Sequence, residues 1–404
     1  MSRHAEAGRK GREARSDCHV TIEPTESGGI NLEVTSRVDY LYADAIRSLV
    51  LDALDRLEVT DARVTVEDQG AVPFVMLARV ETAVRRAWPG RPFPECLPET
   101  DPAGTVPTAR DRWRRSRLYL PGNEPKYLLN AHIHGADAVI LDLEDAVPPA
   151  ERDAALLLVR NALHALSFGD CERMVRVNRL PQGLDDIPPL VRAHVQVLLL
   201  PKCEDPEQVR AAAALVETTR AEAGVKAQVY LMPILESPRG MLQALEIAEA
   251  SPLTAALTWG LEDYLREIGG RRTPDGEETL WARSQVVNAA RAAGVQPIDT
   301  VYADIENLDG LREHTRRARD FGFEGKGCIH PRQVPVVNEV FIPQPAEVAE
   351  ACAIIEAFEA ARREGRSVVA IGRRMIDAPV VNRAGRIVEL ARRAGLLPDE
   401  GGTR

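Results

Sequence analysis

A series of short apolar runs each ends in, or runs straight into, side chains able to do chemistry. Glu144 and Asp145 follow VILDL, Arg176 lies within RMVRVN, and Lys202 follows VLLLP. Glu236 follows LMPIL, Glu262 and Asp263 follow ALTWGL, Asp304 follows IDTVYA, and His330 follows GKGCI. Carboxylates that converge in one cleft repel unless a cation or shared protons compensate. A hard divalent ion with oxygen ligands is the natural compensation, and Mg²⁺ usually takes only one or two protein carboxylates. Glu236 and Asp263 are the expected ligands. The competing reading is that such acids cap the following helices or pair with surface arginines. Arg176 sits among valines, where a guanidinium is costly unless it meets an anion. It is expected either to grip a substrate carboxylate or enolate oxygen, or to bridge internally to Glu144 or Glu236.

Other candidates carry less. His132 and His134 lie two apart on a predicted helix and cannot share a face. Cys203 and Cys328 lie near strand ends, with no His–Cys arrangement to make either a nucleophile. Five arginines between Arg110 and Arg117 form a basic cluster. It reads equally as a solvated linker or as a grip on coenzyme phosphates. In the second case Arg117, with Lys126 beyond it, is the expected coenzyme contact. No Walker loop is visible.

The elements that must position these groups alternate. SRLYLPG, DAVILDLED, RMVRVN, QVLLLPK, QVYLMPILE, LTAALTWG, PIDTVYAD and GKGCIHP read as strands, and the first seven are each followed by a stretch able to hold a helix. Eight apolar strands alternating with helices predict a (β/α)₈ TIM barrel of the α/β class, whose chemistry sits at the C-terminal strand ends. The barrel is expected over 111–345. A helical tail over 346–404, with a helix across 338–365 and an amphipathic one after Pro379, is not needed by the barrel.

Ahead of it, six prolines and two glycines between Trp88 and Ala109 predict a linker over 89–110. A small α+β domain is expected over 16–88, and an irregular basic arm over 1–15. In the small domain, CHVTIEP and INLEVTS around Gly28-Gly29 read as a hairpin. Leu41, Ala45, Leu49 and Ala53 mark a helix, ARVTVED a third strand, and the segment ending in AVRRAW starts as strand and ends as helix.

Composition limits what this assembly does. The 404 residues carry a net charge of −10, which argues against a general nucleic-acid binder. No apolar run approaches the ~20 residues of a membrane span. The basic start lacks the apolar middle of a secretory signal, and six scattered cysteines suggest neither disulfides nor zinc. A cytoplasmic setting is expected.

Taken together, RSRLYLPGNEPKYLLNA, GADAVILDLEDAV, VRVN, LMPILESPRGMLQALEIA, GLEDY, IDTVYADIENLDGL, GFEGKGCIHPRQV and MIDAPVV closely resemble the citrate lyase β-subunit family of acyl-thioester lyases, which includes malyl- and citramalyl-CoA lyases. The likeness runs over nearly all of 111–395. SDCHVTIEPTESGGINLEV and EDQGAVPFVMLARVETAVRRA are similar to the citrate lyase acyl carrier (γ) subunit, so the chain resembles a carrier fused to a lyase. The resemblance implies Mg²⁺ on Glu236 and Asp263, Arg176 as the substrate-binding arginine, and Glu144 and Asp145 as acids that hold metal-bound water. It also implies that Asp377, in MIDAP, is an acid/base delivered to a neighbouring subunit, and hence a homo-oligomer, a trimer. In the carrier family a serine bears a phosphoribosyl-dephospho-CoA arm. Arg15 stands at that position here, leaving Ser16 as the nearest attachment point, or else a module that is never modified.

The implied reaction is the retro-Claisen cleavage of a citryl thioester, on carrier or CoA, to acetyl thioester and oxaloacetate, with a transferase α-subunit-like chain as a possible partner. The alternatives are a malyl- or citramalyl-CoA lyase, a thioesterase, or a non-catalytic CoA-ester-binding module. A phosphoenolpyruvate-using transferase is disfavoured by the missing phosphate-gripping glycine loops.

Overall fold

A computed structural model describes residues 4–11, 13–273, 276–363, 369–371 and 374–398. The N-terminal four-stranded sheet comprises β1 (Ala5–Gly8), β2 (Cys18–Pro24), β3 (Ile30–Ser36) and β4 (Ala62–Asp68), with helices α1 (Asp39–Arg56) and α2 (Pro73–Ala87). The strand order is β1-β2-β4-β3. The expected hairpin does not form: β4 lies between β2 and β3, and pairs parallel to β3. Parallel strands need a crossover, which α1 supplies. Burial decides which strand takes the centre. Val64 and Val66 of β4 are fully buried, whereas β3 is nowhere fully buried and suits an edge. Gly28 and Gly29 still turn the chain at φ 112° and 73°, but the Gly29 amide donates to Asp61 Oδ1 at 2.9 Å, at the entry to β4.

Three further expectations shift. Part of the arm thought irregular forms β1, an edge strand antiparallel to β2. The buried face of α1 is Ile46, Val50, Ala53 and Leu54, while Leu41 is 64% exposed. The last segment is helix throughout, and it is buried nearly all round. That all-round burial arises because α2 lies between its own sheet and the barrel helix Arg152–Ala165. Its charged residues are met across that junction. Glu81 accepts from Arg160 Nη2 at 2.6 Å, with both side chains inaccessible. Arg79 donates to both oxygens of Asp17 at 2.9 Å and to the Asn123 carbonyl at 3.3 Å. Removing one partner from such a pair typically costs about 3–5 kcal/mol. Phe93 and Cys96, within the proline-rich stretch, are buried in the small-domain core. The small domain is therefore seated on the barrel, not strung from it.

The barrel closes from eight parallel strands: β5 (Ser116–Pro121), β6 (Ala138–Asp142), β7 (Glu172–Arg176), β8 (Val197–Leu200), β9 (Tyr230–Leu235), β10 (Ala256–Trp259), β11 (Gln296–Asp299) and β12 (Gly325–Cys328). Inward side chains such as Ile140, Met174, Leu199, Met232 and Ile298 fill its centre. β11 ends at Asp299. Asp304, expected at that strand end, instead accepts from the amides of Glu306 and Asn307 ahead of the next helix.

The chain divides compactly after Pro335. Two helices, Gln333–Phe341 and Pro345–Arg363, replace the single one expected across 338–365, because Pro343 and Pro345 interrupt it. The C-terminal unit joins its helix Pro345–Arg363 to the helix Ala378–Arg393 around Ala351, Ala384 and Val388. A two-stranded pair, β13 (Val369–Ile371) and β14 (Arg374–Ile376), lies between them in sequence. No helix among the described residues is long and apolar enough to cross a membrane.

Candidate active site

The parallel register of β6 and β7 sets Asp142 opposite Arg176. Asp142 is buried, and its two oxygens accept from Arg176 Nε and Nη2, each at 2.6 Å. They also accept from the amides of Glu144 (3.1 Å) and Ala146 (3.0 Å), so one carboxylate shapes the loop and aims the guanidinium. The third nitrogen, Nη1, lies 3.1 Å from Glu144 Oε2 and 3.4 Å from Asp145 Oδ2. Arg176 is thus bridged internally, chiefly to Asp142, which the sequence reading passed over. The register of neighbouring strands was the signal that could have found it.

On the other side of Glu144 stands Lys202. Its φ of 49° places it in the left-handed region, a strained conformation for a side chain of this kind. That turn sends its ammonium to Glu144 and, at 3.2 Å, to Asp145 Oδ1. It also sends its amide to Glu236 Oε1 at 2.7 Å. Glu236 leaves the end of β9 and lies against Gly260, where a Cβ would stand 2.3 Å from Oε2. Asp263 comes from the first turn of the helix Leu261–Ile268 and pairs with Arg266 at 2.7 Å. Its neighbour Glu262 turns out to Arg272.

Arg176, Glu236, Asp263 and Asp145 line one cavity of about 360 Å³ with Tyr119, Asp142 and Gly260. Burial pushes the Glu236 carboxyl up to about 7, and the nearby Glu144 and Asp263 add to the rise. Burial likewise raises Glu144. Among the described residues no set of three or more His, Cys, Asp or Glu side chains is grouped to hold a metal ion. Of the cavity's carboxylates, Glu236 and Asp263 are the two available to a cation, Asp142 and Asp145 being turned to Arg176, and two is the number Mg²⁺ accepts while leaving room for substrate and water. A carboxylate held reluctantly neutral against a second acid fits a cation.

The raised Glu236 value carries a pH signature. Below its ordinary 4.5 the group is protonated in both the folded and unfolded chain. Between 4.5 and about 7 the unfolded chain gives up the proton and the fold keeps it, so this group's contribution to stability falls as pH rises through that window. At about 1.4 kcal/mol per pH unit, the loss is about 3 kcal/mol in metal-free protein. We expect Glu236→Gln to gain on the wild type between about pH 4.5 and 7 in EDTA and to level off above that, measured by denaturant unfolding. A pH-independent difference would contradict it.

The remaining expected residues fall elsewhere. Arg117, expected to grip coenzyme phosphates, is 1% exposed inside the barrel and forms part of the cavity floor. The rest of the arginine cluster is structural. Arg114 forks onto Glu172 with both side chains inaccessible, and Arg115 pairs with Asp137 at 2.7 Å, near the N-terminal ends of the strands. Lys126 is partly exposed beside Glu124, beyond the end of β5. Ser16 has φ 59° and precedes the buried Asp17. Through Arg79 on Asn123 and Arg9 on Glu124, the loop that carries Ser16 is tied to the segment after β5. Asp377 caps the helix Ala378–Arg393, accepting from the Val380 amide at 3.3 Å. His330 accepts from the Arg332 amide.

A family profile described as HpcH/HpaI aldolase/citrate lyase matches residues 115–331, more than half of the chain. A second, an ACP profile described as malonate decarboxylase delta subunit (MdcD), matches residues 6–87. The citrate lyase subunit beta of Leuconostoc mesenteroides subsp. cremoris is 37% identical over 72% of this chain and 97% of its own length. The mitochondrial citramalyl-CoA lyase of Mus musculus is 33% identical over 69% of this chain and 86% of its own. Among solved structures, protein CitE of Mycobacterium tuberculosis, in complex with magnesium, acetoacetate and coenzyme A, is similar with a TM-score of 0.58 and 31% identity, covering 70% of this chain and 100% of that one.

Proposed function

This chain belongs to the HpcH/HpaI aldolase/citrate lyase family, and on that premise we propose that it cleaves a citryl thioester to oxaloacetate and an acetyl thioester. It is a carbon–carbon lyase; the identity of the acyl group is the proposal. The observation that carries it is the meeting of Arg176, Glu236 and Asp263 in one cavity at the strand ends. Glu236 and Asp263 would hold Mg²⁺, which when bound supplies Lewis-acid polarisation of the substrate hydroxyl and its adjacent carboxylate. The relative solved with magnesium and coenzyme A supports both choices.

The chain's own groups do the rest. A cavity carboxylate takes the hydroxyl proton, the C–C bond breaks, and its electron pair moves onto the thioester as an enolate. Arg176, held rigid by Asp142, offers its guanidinium edge to that charge. Glu144, Asp145 and Lys202 set the field around it. Asp377, supplied by another copy of the chain in a trimer, protonates the enolate carbon. The small domain either carries a prosthetic arm on Ser16, working with a transferase subunit, or stays unmodified while the barrel takes free CoA esters in the cytoplasm. The citramalyl-CoA lyase relative favours a second reading, in which the acyl group is citramalyl.

The test pairs intact mass of the protein from its own host with Mg²⁺-dependent keto-acid release from citryl-, citramalyl- and malyl-CoA. Oxaloacetate from citryl-CoA is the expected product. Release of no keto acid from any of them sinks the lyase reading.

A further inference from the structure

The buried Arg79, Arg114, Arg160 and Arg283 each have a carboxylate partner, in Asp17, Glu172, Glu81 and Asp299, as does the half-buried Arg176 in Asp142. Arg117 differs. It is 1% exposed, and among the described residues no acidic side chain lies within 4 Å of it. Its Nη1 meets only the Met232 sulfur, at 2.9 Å. Its Nη2 reaches the Thr258 hydroxyl at 3.2 Å and the Asp299 carbonyl at 3.5 Å. Its Nε has no hydrogen-bond partner among the described residues. The Asp299 carboxylate is engaged elsewhere, by Lys326 at 2.8 Å and by the Trp259 indole at 3.0 Å. A guanidinium does not escape such a place by losing its proton. A buried charge with a thioether and a hydroxyl for company is costly unless an anion joins it.

The anion can come only from the cavity. Arg117 and Tyr119 alternate on β5, so they face the same interior two residues apart, roughly 6.6 Å along the strand. Tyr119 lies beneath the Arg176 guanidinium, at 5.4 Å from its ring centre, and Arg117 forms the floor below with Thr258 and Ile234. Arg176 is already held by three acids, so a second anionic group on the substrate finds its unpaired donor at Arg117.

We propose that Arg117 is a specificity-determining residue that binds a second carboxylate of the acyl group. The preferred substrates are then hydroxyacyl thioesters bearing two free carboxylates, as citryl does, over those bearing one, as citramalyl and malyl do. This rests on the lyase reading above and deepens it. A one-carboxylate substrate leaves the buried donors unpaired, and sites built to hydrogen-bond a group discriminate strongly against analogues that lack it.

The keto acids oxaloacetate and pyruvate differ by that one carboxylate, so they serve as probes. In calorimetric titrations of the full chain with Mg²⁺, oxaloacetate should bind wild type at least about tenfold more tightly than pyruvate, the size expected for a hydrogen bond to a charged group. Arg117→Met, which matches the length and removes the charge, should bring the two affinities within about threefold, with Arg117→Lys between. The kcat/KM ratio of citryl- to citramalyl-CoA should fall in parallel. Equal affinities in the wild type overturn the proposal even if Arg117→Met does not fold. An unchanged ratio in a folded Arg117→Met overturns it too, leaving Arg117 a structural residue. Failure of the lyase reading looks different: no thioester is cleaved at all, whatever the binding ratio.

Discussion

Glu236→Gln should reduce Mg²⁺-dependent keto-acid release by at least about a thousandfold, equivalent to about 4 kcal/mol of transition-state stabilisation. The substitution is close to isosteric. Its amide oxygen can still accept from the Lys202 amide, and it can still lie against Gly260, so the local frame survives. What goes is the negative charge. In metal-free protein that charge is resisted by burial and by Glu144 and Asp263, and a neutral side chain should fold at least as well. The two measurements therefore move in opposite directions: metal-free stability holds or rises, while turnover and the Mg²⁺-induced rise in Tm disappear. Asp263→Asn should share the loss of turnover. Its exposed pairing with Arg266 is worth little to stability. Either variant turning over within tenfold of wild type at saturating Mg²⁺ would remove these two residues from the metal site.

The place of Glu236 at the cavity was legible in the sequence because an apolar strand that ends abruptly in a polar residue marks the mouth of a barrel, whereas ALTWGLED alone does not separate Asp263 from Glu262. LMPIL is too apolar to be anything but buried, and Glu236, the next polar residue, must stand at its end, as Lys202 must after VLLLP. The same logic could not pick out Asp142. ILDLED offers three acids in four positions, and only the register of β6 against β7 tells which one meets Arg176. Arg117 was misread for a related reason. In a run of five arginines, sequence shows the charge but hides the alternation that turns Leu118 and Leu120 one way and Arg117 and Tyr119 the other. The small sheet was misread where a local signal competed with a distant one. The Gly28-Gly29 turn suggests a hairpin, yet β4, arriving after α1, buries Val64 and Val66 better at the centre and displaces β3 to the edge. The role expected of Asp377 has no counterpart in pattern or periodicity; MIDAP reads as a helix cap, and within its own unit a cap is what it forms.

Arg176→Lys should lower kcat/KM by at least about a hundredfold although charge is conserved. The reason lies in how the guanidinium is divided. Nε and Nη2 form a two-pronged bond with Asp142 at 2.6 Å, while Nη1 projects separately toward Glu144 and Asp145. An ammonium is a single point and cannot hold Asp142 as a fork while presenting another donor to the cavity. It would settle on the buried Asp142, and the developing enolate charge would lose its donor; a missing donor of that kind costs on the order of a hundred- to a thousandfold in kcat. Lysine is a cleaner test than alanine. Arg176→Ala would strand a buried carboxylate and cost about 3–5 kcal/mol of stability, mixing a folding defect into the kinetics. The loss should fall mainly on kcat, because the group acts on charge that appears as the bond breaks. A lysine variant with kcat within threefold of wild type would show that Arg176 serves the protein by binding Asp142 alone, and would move the stabilisation of the enolate to another residue of the cavity.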